Sequence, residues 1–192
     1  MNLKPSYNDL LARNKALEQR VAFLQTQSMT DDVTGLYNHR HMLEEIDREV
    51  ERAKRHGRAL CGIMLDIDNF KSVNDRFGHP AGDRVLREVA SLLTGSIRRV
   101  DIVGRYGGDE FVVILPETDF PSAQTVADRI QKNIRQEPFD VAESYVSLTI
   151  SMGIGYFKET RDLSTSDFVE RADRALLKAK TLGKNQIVAE GS

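Results

Sequence analysis

The chain has 192 residues, enough for one domain with a sizeable core plus a short appendage. Hydrophobic residues make up 40% and charged residues 29%, the balance of a globular protein, and no internal repeat or low-complexity segment interrupts it. The formal net charge of -2 supplies no overall basic field for a nucleic acid polymer or an anionic membrane, so a polyanionic ligand must be held by a local site.

Residues 5 to about 28 carry a heptad repeat. Leu10, Leu17 and Leu24 take one core position, and Tyr7, Asn14, Val21 and Ser28 take the other. Pro5 suits the first turn of a helix, where its missing N–H is not needed. Asn14 at a core position favours an in-register pair of helices, and Arg13 and Glu18 are spaced to pair across a parallel dimer. A single amphipathic helix lying on its own domain is the other reading; the narrow apolar stripe and broad polar face favour a coiled coil.

MTDDVTGLYN (29–38) breaks that helix with Asp31, Asp32, Thr34 and Gly35. The spacing then predicts a helix over 38–56, with Met42, Leu43, Ile46, Val50 and Ala53 on one face and Gly57 ending it. Residues 59–67 form a continuous apolar run suited to a central strand, closing in Asp66-Ile67-Asp68. Cys61 within it is the only cysteine, which excludes an internal disulfide and suits a small core residue. GHPAGD (78–83) reads as a turn launching a helix through about Ile97. Residues 101–106 and 111–115 are two short strands joined by Gly107-Gly108, a hairpin signal. Residues 120–135 are helical, 144–157 contain a strand, 166–182 form a helix stopped by Gly183, and 185–189 form a last strand. A hairpin flanked by strand–helix units predicts an α+β, ferredoxin-like antiparallel sheet with helices packed on it. The expected domains are a dimerising helix at 1–30 and a globular unit at 31–192.

His39, His41, His56 and His79 lack the neighbours of a structural zinc site. No apolar run approaches the roughly 18 residues of a membrane span and no signal peptide opens the chain, so a cytoplasmic protein, or the cytosolic end of a larger one, is expected. There is no P-loop pattern. Carboxylates gather where strands end or turn: Asp66 and Asp68, expected on the same side by alternation, and Asp109 and Glu110 after the glycine pair. If the hairpin lies beside the 59–67 strand, Asp66 and Asp109 come within metal-bridging distance. Such hard oxygen donors, completed by phosphate oxygens, suit Mg²⁺. Lys71 follows the first acidic strand end, and Lys180 and Lys184 bracket the end of the last helix; each alone reads more often as a solvated surface charge.

Taken together, DDVTGLYNHR (31–40), DIDNFKSVNDRFGHPAGD (66–83), RYGGDEF (105–111), SMGIG (151–155) and RADRALLKAKTLGKN (171–185) resemble the GGDEF family of diguanylate cyclases, from about Asp31 to Ala189. The resemblance implies a sheet like that of nucleotidyl cyclases and polymerase palms. It implies metal binding by Asp66, the Ile67 carbonyl, Asp109 and Glu110, with two Mg²⁺ per site (Mn²⁺ as an alternative), and a catalytic role for Asp109 and Glu110. Substrate binding falls to Phe70, Lys71, Asn74, Asp83, Gly107, Gly108, Lys180 and Lys184, with Asn74 and Asp83 on guanine. The reaction implied is condensation of two GTP into cyclic di-GMP and two pyrophosphates, one GTP per subunit of a homodimer joined by the N-terminal helix. Arg98 and Asp101 match an inhibitory product site; an i, i+3 surface ion pair is the other reading, and the offset from the signature favours the product site. Leu177 and Lys184 depart from the family's usual Tyr and Arg, and Asp109 is shorter than the Glu also found there. The rival function is a catalytically silent cyclic di-GMP receptor.

Overall fold

A computed structural model describes residues 10, 11, 13–15, 17, 29–141, 144–157 and 164–191. Most of the heptad segment therefore lies outside the described residues. Those described within it are helical, and Leu10, Leu11 and Leu17 are exposed.

The elements follow in the order α1 (His39–His56), β1 (Leu60–Ile67), α2 (Phe70–Phe77), α3 (His79–Gly95), β2 (Ile102–Arg105), β3 (Glu110–Pro116), α4 (Phe120–Gln136), β4 (Phe139–Asp140), β5 (Tyr145–Val146), β6 (Ile150–Phe157), α5 (Thr165–Thr181) and β7 (Ile187–Gly191). The main sheet has the order β2-β3-β1-β6-β7. Its first four strands are antiparallel, in the ferredoxin-like arrangement that the sequence predicts. β7 joins β6 in parallel after the α5 crossover, which extends that arrangement by one strand.

Local chemistry sets the boundaries. The Asn38 side chain accepts from the His41 N–H to cap α1, and left-handed Gly57 closes it. Ser164 and Asp167 form a capping box at the start of α5. GHPAGD is not the turn expected of it. Only Gly78, at φ 82, breaks the chain; the preceding FKSVNDRF forms the short helix α2, and Pro80 lies in the first turn of α3. The last strand starts at Ile187 rather than at 185, because Lys184 and Asn185 are held in left-handed conformation.

Both faces of the sheet are covered. Cys61, Ile63, Leu65 and Ile67 of β1 pack with α3 and α4; Leu60 and Met64 pack with α1 and α5. Burial on both faces explains the unbroken apolar run of β1. Cys61 is a core residue whose thiol donates to the Thr118 carbonyl at 3.1 Å, and burial pushes its pKa up to about 12. No helix among the described residues is long and apolar enough to cross a membrane.

Glycines let α5 settle onto the sheet. A Cβ at Gly62 would lie 2.7 Å from Phe168 Cε1, and one at Gly153 would strike the Leu176 nitrogen and the Ala172 carbonyl. The obstacle at Gly153 is helix backbone, which has no rotamer to turn aside. Gly153→Ala is therefore expected to lift α5 and destabilise the domain by about 3 kcal/mol, read as a lower urea midpoint at unchanged slope.

Candidate functional site

Alternation along β1 and β3 decides which carboxylates meet. Asp66 follows Leu60 and Met64 on the α5 side of the sheet, and Glu110 shares that face with Val112 and Ile114. The register places Asp66 directly across from Glu110. The cross-strand partner of Asp66 is thus Glu110 and not Asp109. Asp109 belongs to the turn: its carbonyl accepts from the Ile67 N–H at 3.2 Å, and it lines a pocket on the other side with α2 and α3.

Lys180, near the end of α5, reaches this acidic pair. Its Nζ lies 2.7 Å from Asp66 Oδ2 and 3.7 Å from Glu110 Oε1. Burial holds the Asp66 carboxyl above its ordinary range; the Lys180 hydrogen bond opposes the rise, and the charges of Asp109 and Glu110 add to it. Burial also works against the Lys180 ammonium, but the bond to Asp66 and the surrounding acids outweigh it and hold its pKa high. Among the described residues no three His, Cys, Asp or Glu side chains already form a metal-binding group. The donor set nevertheless fits Mg²⁺: two hard carboxylates face each other beside a third, their field already holds one cation, and oxygens from a phosphate would complete the shell.

Beside Asp109 opens a cavity of about 420 Å³, lined among others by Phe70, Lys71, Asn74, Asp83, Arg105 and Gly108. It gathers five of the residues expected to bind substrate. Asn74 and Phe70 close over Gly82, where a Cβ would strike Asn74 Oδ1 and stand 3.1 Å from Phe70 Cζ. His79 also lines this cavity and was not singled out by the sequence. Lys184 is elsewhere, with Nζ on Asn69 Oδ1 at 2.7 Å. Asp68 shares the side of Asp66, as alternation predicts. The ladder continues past Ile67, with the Asp68 N–H donating to the Thr149 carbonyl at 2.9 Å, and the Asp68 carboxylate is buried against Thr149 and Ser151, the latter the cross-strand partner of Asp66.

The glycine pair works differently from a left-handed hairpin turn. Neither Gly107 nor Gly108 has positive φ, and β2 and β3 are joined through Tyr106–Asp109. A Cβ at Gly107 would lie 2.8 Å from Glu110 Oε2. The turn is held by Arg105, whose Nε donates to the Gly107 and Gly108 carbonyls at 3.1 Å each and whose Nη2 donates to Gly108 at 2.7 Å. Its Nη1 spans both oxygens of Asp31, at 3.0 and 3.1 Å. Sequence reasoning missed this tie because the two residues are 74 positions apart.

Arg98 and Asp101 are brought together, but not as an ion pair. The Arg98 N–H donates to Asp101 Oδ2 at 2.8 Å, and the Asp101 N–H donates to the Arg98 carbonyl at 3.0 Å. Asp101 Oδ1 is buried without a hydrogen-bond partner, and both residues line a cavity of about 690 Å³.

An antiparallel-centred sheet with acids at adjoining strand ends is the palm-type architecture of nucleotidyl cyclases. The chain belongs to the GGDEF family: the family model described as "Diguanylate cyclase, GGDEF domain" matches residues 28–186. Response regulator PleD of Caulobacter vibrioides is 39% identical over 166 residues, covering 86% of this chain and 37% of PleD. Diguanylate cyclase DgcP of Pseudomonas aeruginosa is 38% identical over 173 residues, covering 90% of this chain and 26% of DgcP. The chain thus spans well under half the length of either relative. The coiled coil and GGDEF domain of DgcB from Caulobacter crescentus, solved in complex with c-di-GMP, matches with TM-score 0.81 at 29% identity, covering 95% of this chain and 96% of that one.

Asp31 ties the start of the domain to the turn, and its protonation tests that tie. Burial favours the neutral acid, but hydrogen bonds from Thr34 and Arg105 outweigh it and hold the folded pKa below the ordinary 3.8. Its contribution is therefore complete above the ordinary value and is lost as the pH falls through the folded one. Urea unfolding should show Asp31→Asn about 1 kcal/mol less stable than wild type at neutral pH, with the gap closing in acid.

Proposed function

We propose that this domain is a diguanylate cyclase, condensing two GTP into cyclic di-GMP with release of two pyrophosphates, one GTP being held by each subunit of a homodimer. The observation that carries the reading is the β1–β3 register, which sets Asp66 opposite Glu110, the neighbour in sequence of Asp109, which lines the cavity holding Asn74 and Asp83.

The chain's own residues divide the work. The Asn74 amide donates to guanine O6, and the Asp83 carboxylate accepts from the N1 and N2 hydrogens. Phe70 floors that pocket and Gly82 leaves the room for it. Lys71, Lys180 and Lys184 attract the triphosphate. Asp66, the Ile67 carbonyl, Asp109 and Glu110 would hold two Mg²⁺, or Mn²⁺ in their place, which when bound acidify the attacking 3′-hydroxyl and neutralise the pyrophosphate that leaves. Arg105 fixes the Gly107-Gly108 backbone so that Asp109 faces the reacting end, where its carboxylate accepts the proton of the 3′-hydroxyl. Attack on the α-phosphate occurs twice, each 3′-hydroxyl coming from the opposite subunit.

The need for two facing domains gives residues 1–30 a task. A helix pair there raises the local concentration of one domain at the other. The unpartnered Asp101 oxygen, beside Arg98 in its own cavity, supports an inhibitory site for the product, with the arginine on phosphate or a guanine edge and the carboxylate taking guanine N–H donors.

The test is incubation of the purified chain with GTP and Mg²⁺ and chromatography of the nucleotides. Cyclic di-GMP and pyrophosphate are expected together, with Asp109→Ala and Glu110→Ala each losing about 100-fold or more in rate while still binding cyclic di-GMP. A dimeric wild-type chain that binds cyclic di-GMP yet forms none would instead be a receptor.

A further inference from the structure

Asp68 is a buried carboxylate for which the proposed reaction has no use. It is 4% exposed and accepts three hydrogen bonds: from Thr149 Oγ1 at 2.7 Å, from Ser151 Oγ at 2.7 Å and from the Asn185 backbone N–H at 2.9 Å. The first two donors stand at the start of β6 and fix the carboxylate to the sheet. The third belongs to the loop between α5 and β7.

That loop runs through consecutive left-handed residues, Gly183 at φ 114, Lys184 at 64 and Asn185 at 51. Glycine adopts such angles freely and asparagine tolerates them, but a lysine is crowded there and stays only where its surroundings hold it. Among the described residues four non-glycines have positive φ, and three of them, Asn69, Lys184 and Asn185, meet at this one junction. They interlock. Asp68 takes the Asn185 N–H, and the next residue, Asn69, takes Lys184 Nζ at 2.7 Å. Arg135 braces the outer side, donating to Asn185 Oδ1 at 2.7 Å. The one charged acceptor on the loop's backbone is Asp68, and a carboxylate is the stronger kind of partner for an amide. The left-handed turn brings Lys184 back to Asn69, two residues beyond the end of β1 and three beyond Asp66, before the chain enters β7.

We propose that Asp68 is a positioning residue for triphosphate binding: by holding the Gly183–Asn185 loop in its left-handed course, it presents Lys184 at the phosphate end of the site. The ligand in this statement rests on the cyclase reading above. The clasp does not.

The test compares KM and kcat for GTP in the whole dimeric chain for Asp68→Asn, Lys184→Ala and the double variant. Asparagine keeps the size of Asp68 but offers a single acceptor oxygen to three donors. Asp68→Asn should raise KM about tenfold while kcat stays within about threefold, a split that a general loss of structure would not give. In the Lys184→Ala background the same change should add less than about twofold, because the group it acts through is gone. An unchanged KM, or effects that multiply in the double variant, overturns the proposal. Thr149→Val removes one donor without changing shape; it should give the same trend at smaller size, and it stands in if Asp68→Asn does not fold. Amide exchange at Asn185 keeps this result apart from the cyclase reading. If wild type forms no cyclic di-GMP, slow exchange at Asn185 that is lost in Asp68→Asn, with GTP affinity falling by the same factor as expected of KM, still upholds the clasp. Fast exchange at Asn185 in wild type overturns the clasp; slow exchange in a chain that binds no GTP leaves the clasp standing and overturns the role assigned to it in triphosphate binding.

Discussion

The antiparallel pairing of β1 with β3 and β6 is the constraint on which the rest depends. It fixes a register in which Asp66 has Glu110 on one side and Ser151 on the other. Because side chains alternate, one register shift would send the whole set to the opposite face. The unbroken apolar run of β1, buried on both sides, holds that register through Leu60 to Leu65. The acids then emerge where the apolar run ends, and their mutual repulsion is carried by hydrophobic burial further along the same strands and relieved by Lys180.

Helix α5 depends on the same ladder. It carries Lys180 to Asp66 because bare backbone at Gly62, Gly153 and Gly155 lets it lie close to the sheet. The SMGIG segment is thus a packing surface, and its chemical consequence appears about one turn of helix beyond Leu176, at Lys180. The loop that follows, strained and clasped by Asp68, converts the end of α5 into a second strand-end contact through Lys184. Two lysines reach one end of β1 by two different physical routes, a close helix and a left-handed loop.

Much of this was legible in the sequence, and the exceptions have physical causes. Long periodic segments such as α1, α4 and α5, and the apolar strand β1, declared themselves, as did the hairpin and the antiparallel-centred class of the sheet. The helix α2 did not, because its eight residues, between an Asp-Asn turn and a glycine, are too few to repeat the apolar face of Phe70, Val73 and Phe77. Strand alternation correctly put Asp66 and Asp68 on one side, but not their different fates: Asp66 meets Lys180, while Asp68 is buried against Thr149 and Ser151. The glycine pair pointed correctly to a turn for the wrong reason: the space is needed by Glu110, and the backbone carbonyls by Arg105. The partnership of Arg105 with Asp31, like that of Asp68 with Asn185, joins residues far apart in the chain, and no local pattern announces it.

In the proposed reaction, the paired strand ends carrying Asp66 and Glu110 would form a cation site that a nucleotide completes. Paramagnetic broadening by Mn²⁺ in amide spectra, recorded with and without GTP, tests this most directly. Broadening is expected to centre on Ile67, Asp109 and Glu110 and to strengthen when GTP is added, with none at Arg98 or Asp101. Broadening centred elsewhere, or a pattern at the strand ends indifferent to GTP, would contradict it.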